Sequence, residues 1–259
     1  MHRFRTTTAA LLVLSAIAAS GCNLQLSTDV EAKDEWTRSY PISATGTLVI
    51  ANTNGRTTVE ATDTATIEVT AERIVRAGTE EAANEQLATF EMNEDVSADR
   101  VSIDTATRGL TMGMSRRVNY TVRVPRGVAV TLKATNGDIL ATGIGGAFEA
   151  STTNGRVTGV DLAGSANAST TNGVVALTMA AIADGGVRAE TTNGTVTVTL
   201  PRDANATVTT QVTNGAISHE NLDLEIIESS RRRLDGRLGA GGPEIRVRTT
   251  NGAVRLIGR

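Results

Sequence analysis

The stretch ASTTNGRVTGVDLAGSANASTTNGVV, residues 150–175, states one pentapeptide twice. Ser-Thr-Thr-Asn-Gly at Ser151–Gly155 returns at Ser169–Gly173, 18 residues later. Working outward, Thr-Asn-Gly occurs seven times, through Asn54-Gly55, Asn136-Gly137, Asn154-Gly155, Asn172-Gly173, Asn193-Gly194, Asn214-Gly215 and Asn251-Gly252. From Gly137 the steps are 18, 18, 21, 21 and 37 residues, the last close to two short steps or one step with a long insertion. A fixed period of about 20 residues marks stacked units, each unable to bury its apolar face alone.

The flanks alternate. Seven, five and three positions before the glycine lie Val130, Leu132, Ala134; Phe148, Ala150, Thr152; Ala166, Ala168, Thr170; Val187, Ala189, Thr191; Val208, Thr210, Val212; and Ile245, Val247, Thr249. Four positions before it the residues are polar: Lys133, Ser151, Ser169, Glu190, Gln211 and Arg248. Two positions after it come Ile139, Val157, Val175, Val196, Ile217 and Val254. Period two is the mark of a strand with one buried face. Each unit is therefore a strand, an Asn-Gly bend and a second strand. Asn and Gly both tolerate left-handed backbone angles, so the pair turns the chain sharply. Two arrangements fit, a stack of β-hairpins and a solenoid of coils paired in parallel. The solenoid is favoured, because identical residues at identical positions stack on themselves and asparagines form an amide ladder. Six coils at about 4.8 Å each make a rod roughly 30 Å long.

The N-terminus is an address. Two arginines in Met1–Arg5 precede the apolar Ala9–Ala19, too short to span a bilayer, and small residues lead to Cys22. Ala19-Ser-Gly-Cys22 resembles a bacterial lipobox, with alanine where leucine is usual. The resemblance implies residues 1–21 as a lipoprotein signal peptide and a diacylglycerol thioether on Cys22. Residues 22–40 then form a polar tether and 41–259 the repeat domain. Cys22 is the single cysteine, so no internal disulfide exists, and a bare thiol in an oxidising compartment is a liability. Asn23, in place of aspartate, points to the outer membrane by analogy with lipoprotein sorting, with the domain on its periplasmic or surface face.

Net charge is −3, which gives no basic footprint for nucleic acid. Aromatic content is 2%, which fits a thin core of Ala, Val, Thr and Leu. Thr47–Ile74 alternates as β structure, although Gly55 leads into Arg56-Thr57-Thr58-Val59, a phase that departs from the later rule. Residues 79–89, TEEAANEQLAT, read as a short helical insertion with Thr79 as cap. Residues 221–242 read as a long loop carrying Arg231, Arg232 and Arg233.

Gly46–Gly55 (GTLVIANTNG), Tyr120–Pro125 (YTVRVP), the Thr-Asn-Gly units, Gly236–Gly239 and Ile245–Gly252 (IRVRTTNG) together resemble the bacterial putative-adhesin β-strand-repeat family. That family is a domain of unknown function, similar to auto-transporter adhesin head domains. The resemblance covers roughly residues 40–259. It implies a right-handed parallel β-solenoid on the cell envelope, with no catalytic residues.

The chemistry agrees with a non-enzyme. Only His2 and His219 exist, and His2 leaves with the signal, so a Ser-His-Asp triad or a Cys/His zinc site lacks its parts. Asp138, Asp161 and Asp184 recur at different coil positions, unlike a calcium repeat. Gly236–Gly242 lacks the lysine of a phosphate loop, and no paired carboxylates share a coil phase. The expectation is an all-β, lipid-anchored envelope module without cofactor or metal, which binds or displays. Its partners are the membrane through the lipid and an envelope or extracellular component, whether glycan, lipopolysaccharide or protein. Arg231, Arg232 and Arg233 are the candidate contact for an anionic partner. The alternatives are a β-helix enzyme on envelope glycan and a structural protein that self-associates through its ends, since the last strand, Gly252–Arg259, lacks an obvious cap.

Overall fold

The computed structural model describes residues 29–105 and 113–259. Cys22 and the signal lie outside the described residues. Within them, an eleven-stranded and a ten-stranded sheet share one narrow apolar core. The strand that runs into each Asn-Gly lies in the eleven-stranded sheet, called the ladder sheet below. The strand that follows lies in the ten-stranded return sheet.

Pairing between units is parallel and in register. Phe148–Asn154 lies on Ala166–Asn172 with Ala150 opposite Ala168, Ser151 opposite Ser169 and Asn154 opposite Asn172. In the return sheet Val157 lies opposite Val175, and Val175 opposite Val196. The two strands of one unit sit in different sheets, so a stack of hairpins is excluded. Inward columns such as Ala150–Ala168–Ala189 and Val157–Val175–Val196 are buried, which explains how a thin core forms almost without aromatics. Burying one such valine contributes about 1.5–3 kcal/mol.

The early part of the chain continues this stack. Thr47–Asn54 pairs in parallel with Ala129–Asn136, and Thr57–Thr62 with Ile139–Thr142. The Gly55 phase does not depart from the rule after all. Thr57 is buried opposite Ile139 and takes the place of the usual Ile or Val.

Three further expectations are corrected. Residues 30–40 are not a tether, because Val30–Pro41 is a strand paired antiparallel with Thr66–Ala77. Its charges mask the alternation, in which Ala32 and Tyr40 are buried, Trp36 is half-buried, and Glu31 and Arg76 pair across the strands. Residues 221–242 are not a loop, because Leu224–Ser229 and Arg233–Leu238 form a hairpin on the outer edge of Ala206–Asn214. That hairpin occupies the edge where the next coil would have stacked. The returning chain takes the other edge, so Glu244–Asn251 and Val254–Gly258 insert between the Val187–Leu200 coil and the Ala206–Glu220 coil. The C-terminal strand is therefore internal and paired on both sides. The strands that end the stack here are Leu224–Ser229 and Ile217–Glu220.

The opposite end is closed by antiparallel strands, Val30–Pro41, Thr66–Ala77 and Ser115–Pro125 in one sheet, and Met92–Val96 beside Arg100–Thr105 in the other. A helix, Glu80–Ala88, plugs the core there with Ala83 and Leu87, and the Thr79 side chain accepts from the Ala82 amide at 3.2 Å. Phe90 is buried between Arg73 and Arg116, whose guanidinium carbons lie 5.9 and 5.0 Å from the ring centroid. Asp34 binds Arg73 through both oxygens.

Candidate functional site

Each Thr-Asn-Gly residue type has its own contact with the adjacent coil. Asparagine Nδ2 donates to the neighbouring asparagine Oδ1 at 2.8–2.9 Å through Asn136, Asn154, Asn172, Asn193, Asn251 and Asn214. The row ends where Asn54 Nδ2 donates to the Arg116 carbonyl at 3.2 Å. The buried threonine three residues before the glycine donates to the neighbouring glycine carbonyl at 3.0–3.1 Å, through Thr152, Thr170, Thr191 and Thr249. Ala134 lacks that hydroxyl, and Asn52 Nδ2 serves the Gly55 carbonyl instead at 3.3 Å. In the Gly215 coil the hydroxyl shifts to Thr210, which binds Leu234 of the hairpin at 3.1 Å.

Glycine is required by proximity. A Cβ on Gly137, Gly155, Gly173, Gly194, Gly215 or Gly252 would lie 1.6–2.2 Å from the carbonyl oxygen of the neighbouring coil's glycine. None of these asparagines has a positive φ; among described non-glycine residues only Asp161 and Asn221 do. Asparagine is present for its amide, and not for a left-handed turn.

The stack thus offers two rigid outer faces of opposite character. On the ladder sheet, Lys133, Glu149, Arg188, Arg246 and Arg248 are exposed, beside a column of exposed threonines, Thr135, Thr153, Thr171, Thr192 and Thr213. A shallow depression of about 440 Å³ runs over Ser151, Ser169, Thr153, Thr171, Thr192 and Arg248. On the return sheet, Leu140, Thr142, Thr158, Val160, Ala176, Thr178, Thr197 and Thr199 are half-buried and uncharged across four coils.

A concavity of about 850 Å³ lies where the Asn-Gly edge meets the closing strands. Asn54, Arg56, Asn136 and Asp138 line one side, and Arg76 and Arg117 the other. Ser115–Pro125 overhangs the edge because Tyr120 already lies opposite Thr57, leaving the preceding residues beyond the first turn. A Cβ on Gly55 would meet Arg117 Cγ at 3.0 Å, so that arginine's stem lies across the turn next to Arg56. Sequence reasoning missed this group. Its one linear signal is an arginine directly after the first Asn-Gly and the Arg116-Arg117 pair.

Arg231, Arg232 and Arg233 stand at the hairpin tip. Arg231 and Arg232 are exposed, while Arg233 binds Asp235 at 2.6 Å and Glu228 at 3.7 Å. They do not meet the groove arginines, which lie at the other end of the stack. His219 is exposed in Ile217–Glu220, opposite Leu256. Two phenols are perturbed, both in the closing strands. Burial, then the hydrogen bond to Glu94, raises Tyr40 above its ordinary value. Burial likewise raises Tyr120, which shares a 2.9 Å hydrogen bond with Thr105. Among the described residues no group of three or more His, Cys, Asp and Glu is arranged to hold a metal, and no helix is long and apolar enough to cross a membrane.

The family model Toastrack DUF4097 matches residues 26–256. The chain belongs to the Toastrack family. The Toastrack match starts ahead of Val30, so it takes in the first strand as well as the repeats. A putative cell adhesion protein of Clostridium sporogenes is similar at 12% identity and TM-score 0.46, over 88% of this chain and 100% of its own. A putative adhesin of Bacteroides fragilis is similar at 13% identity and TM-score 0.45, over 88% of this chain and 98% of its own. No curated protein matches the chain.

Proposed function

We propose that this Toastrack protein is a lipid-anchored, non-enzymatic binding module of the cell envelope. Cys22 carries the acyl chains, and Asn23 after it directs the chain to the outer membrane. The stack is a right-handed parallel β-solenoid built on Thr-Asn-Gly coils. The observation that carries the binding role is the ladder sheet's outer face, where polar side chains stand in register on successive coils. Columns spaced about 4.8 Å apart suit a ligand that itself repeats, such as an envelope glycan or the saccharide of lipopolysaccharide. Many weak contacts then add through effective concentration. Arg231 and Arg232 extend this to anionic groups, with Arg233 held in place by Asp235.

The test is retention of the chain beginning at Asn23 on immobilised lipopolysaccharide and on envelope glycan. Retention is expected, with earlier elution from lipopolysaccharide for the Arg231→Ser/Arg232→Ser/Arg233→Ser variant. Failure of the wild-type chain to be retained on either matrix contradicts the binding role. Equal retention of the variant removes these arginines from it.

One observation favours a second reading, self-association through the end of the stack. Leu224–Ser229 is an edge strand, and Ile226 and Ile227 on it are 47% and 70% exposed. An exposed apolar edge is a template for another strand. Light scattering across a concentration series would show a rising mass that Ile227→Lys abolishes; a constant monomer mass contradicts it.

A further inference from the structure

We infer that the groove at the Asn-Gly corner binds the phosphate of anionic lipid head groups and sets this edge of the stack against the membrane. Arg56, Arg76 and Arg117 line it, and Asp138 is its one acidic lining residue. Asp138 Oδ1 accepts from the Arg156 backbone amide at 2.8 Å, so its single negative charge stands against these three arginines. Arg76 is paired with Glu31, whereas Arg56 and Arg117 have no carboxylate partner among the described residues. The acidic first turn of the helix, Glu80 and Glu81, contributes nothing to the lining. The Arg56 and Arg117 guanidinium groups match an oxyanion with several acceptor oxygens. The neighbouring amides each already donate one N–H, Asn54 to the Arg116 carbonyl, Asn136 to Asn54 and Asn119 to the Glu72 carboxylate, so the two arginines carry the site.

The course of the chain selects the lipid as the source of that phosphate. Val30 pairs with Ala77 and Glu31 binds Arg76, so the first strand begins at the groove. Cys22 lies eight residues before Val30, and eight residues reach about 28 Å at most. An acyl chain on Cys22 therefore holds the groove within that distance of the head groups, where basic side chains gain most from anionic lipid. The hairpin tip lies on the same edge at the far end of the stack. The Arg232 carbonyl accepts from Val212 at 2.9 Å, two residues before Asn214, which leaves Arg231 and Arg232 as a second point of contact. Both outer faces then stand clear of the bilayer. The orientation and the choice of lipid over free phosphate rest on the lipid-anchor reading of Cys22; anion binding by the groove does not.

The experiment uses the unacylated chain beginning at Asn23, since all strands and the core of the described residues lie within residues 30–258. It is co-sedimented with phosphatidylcholine vesicles, with and without phosphatidylglycerol, at low and physiological salt. Binding to the anionic vesicles is expected. Arg56→Ser/Arg117→Ser should weaken it about 10- to 30-fold. Arg202→Ser/Arg255→Ser, with the same change of charge on exposed residues outside the groove, should change it less than about twofold. Free inorganic phosphate at millimolar concentration should not displace the protein from vesicles; displacement would make the groove a site for soluble phosphate and overturn the lipid assignment. Absence of vesicle binding, or equal loss in both double variants, also overturns it. Labelling of the full chain with radioactive palmitate in cells reads Cys22 acylation alone, so failure of the anchor is seen separately from failure of the groove.

Discussion

The coils from Phe148 to Leu200 and the strands that close the ends solve the same problem differently. In the repeated coils the Asn, Thr and Gly of each turn meet the same groups of the next coil. Asn172 meets Asn154, the Thr170 hydroxyl meets the Gly155 carbonyl, and Gly173 lies against Gly155. In the end coils and the strands that close them the identical neighbour is lost, and polar groups take other partners, with the buried Asn52 Oδ1 left without one. Asn52 replaces a threonine, Thr210 turns to the hairpin, Tyr40 binds Glu94, and Arg73 binds Asp34. Repetition is thus the signature of stacking, and its loss is the signature of an end.

The largest test of this contrast is Gly173→Ala. The new methyl would sit 1.8 Å from the Gly155 carbonyl oxygen, and the coils on both sides prevent relaxation. A loss of about 3 kcal/mol in urea unfolding is expected. Gly78→Ala, with open space around its Cβ, should change stability by less than about 0.5 kcal/mol. Equal effects would remove the close approach as the reason for glycine. Next comes Thr170→Val, which leaves the Gly155 carbonyl without its hydroxyl donor and should cost about 2 kcal/mol, again by urea titration.

Tyr40→Phe tests the closing strands, with an expected loss of about 1.5 kcal/mol at neutral pH. The pH dependence has a definite sign. Tyr40 and Tyr120 have folded-state values above the ordinary one, so their contribution is complete below about pH 10 and is lost as pH rises toward the folded value. Both of the chain's tyrosines lie in the closing strands, so alkaline solution should speed amide exchange there beyond its intrinsic rise, ahead of the repeated coils. Uniform loosening would contradict the contrast. Asn172→Ala removes two amide–amide hydrogen bonds on an exposed edge and should cost only about 1 kcal/mol by thermal melting, because water replaces part of what is lost.

The same contrast explains what could be read from the sequence. The strand–Asn-Gly–strand unit, its inward columns and its parallel stacking are legible in residues 129–200, because each coil repeats the evidence. The helix is legible in TEEAANEQLAT, because a cap and its first turn are local features. The order of the last coils is not legible. Asn214 precedes Asn251 in the chain, yet Asn251 lies between Asn193 and Asn214, because the hairpin takes one edge. Nothing local in Leu224–Leu238 announces that choice. The first strand is hidden by its charges, which mask the period of two: Glu31, Lys33 and Asp34 pair across strands, and Glu35 accepts from Thr37 on its own strand. The groove arginines were hidden for a different reason. Arg56, Arg76 and Arg117 are distant in sequence and meet only because Ser115–Pro125 overhangs the first Asn-Gly turn.

The most direct test of the stacking account is a cysteine cross-link between coils that are neighbours in space but not in the chain. In the chain beginning at Asn23, which has no native cysteine, Glu190 lies directly opposite Arg248 on the outer face, and Arg248 opposite Gln211. Neighbouring strands bring the Cα atoms within disulfide range, whereas strands two apart are about 9.6 Å from each other. Under mild oxidation the Glu190→Cys/Arg248→Cys variant should close a disulfide while the chain stays folded, and Glu190→Cys/Gln211→Cys should remain reduced. Closure of the second pair and not the first would place the coils in chain order and contradict the account.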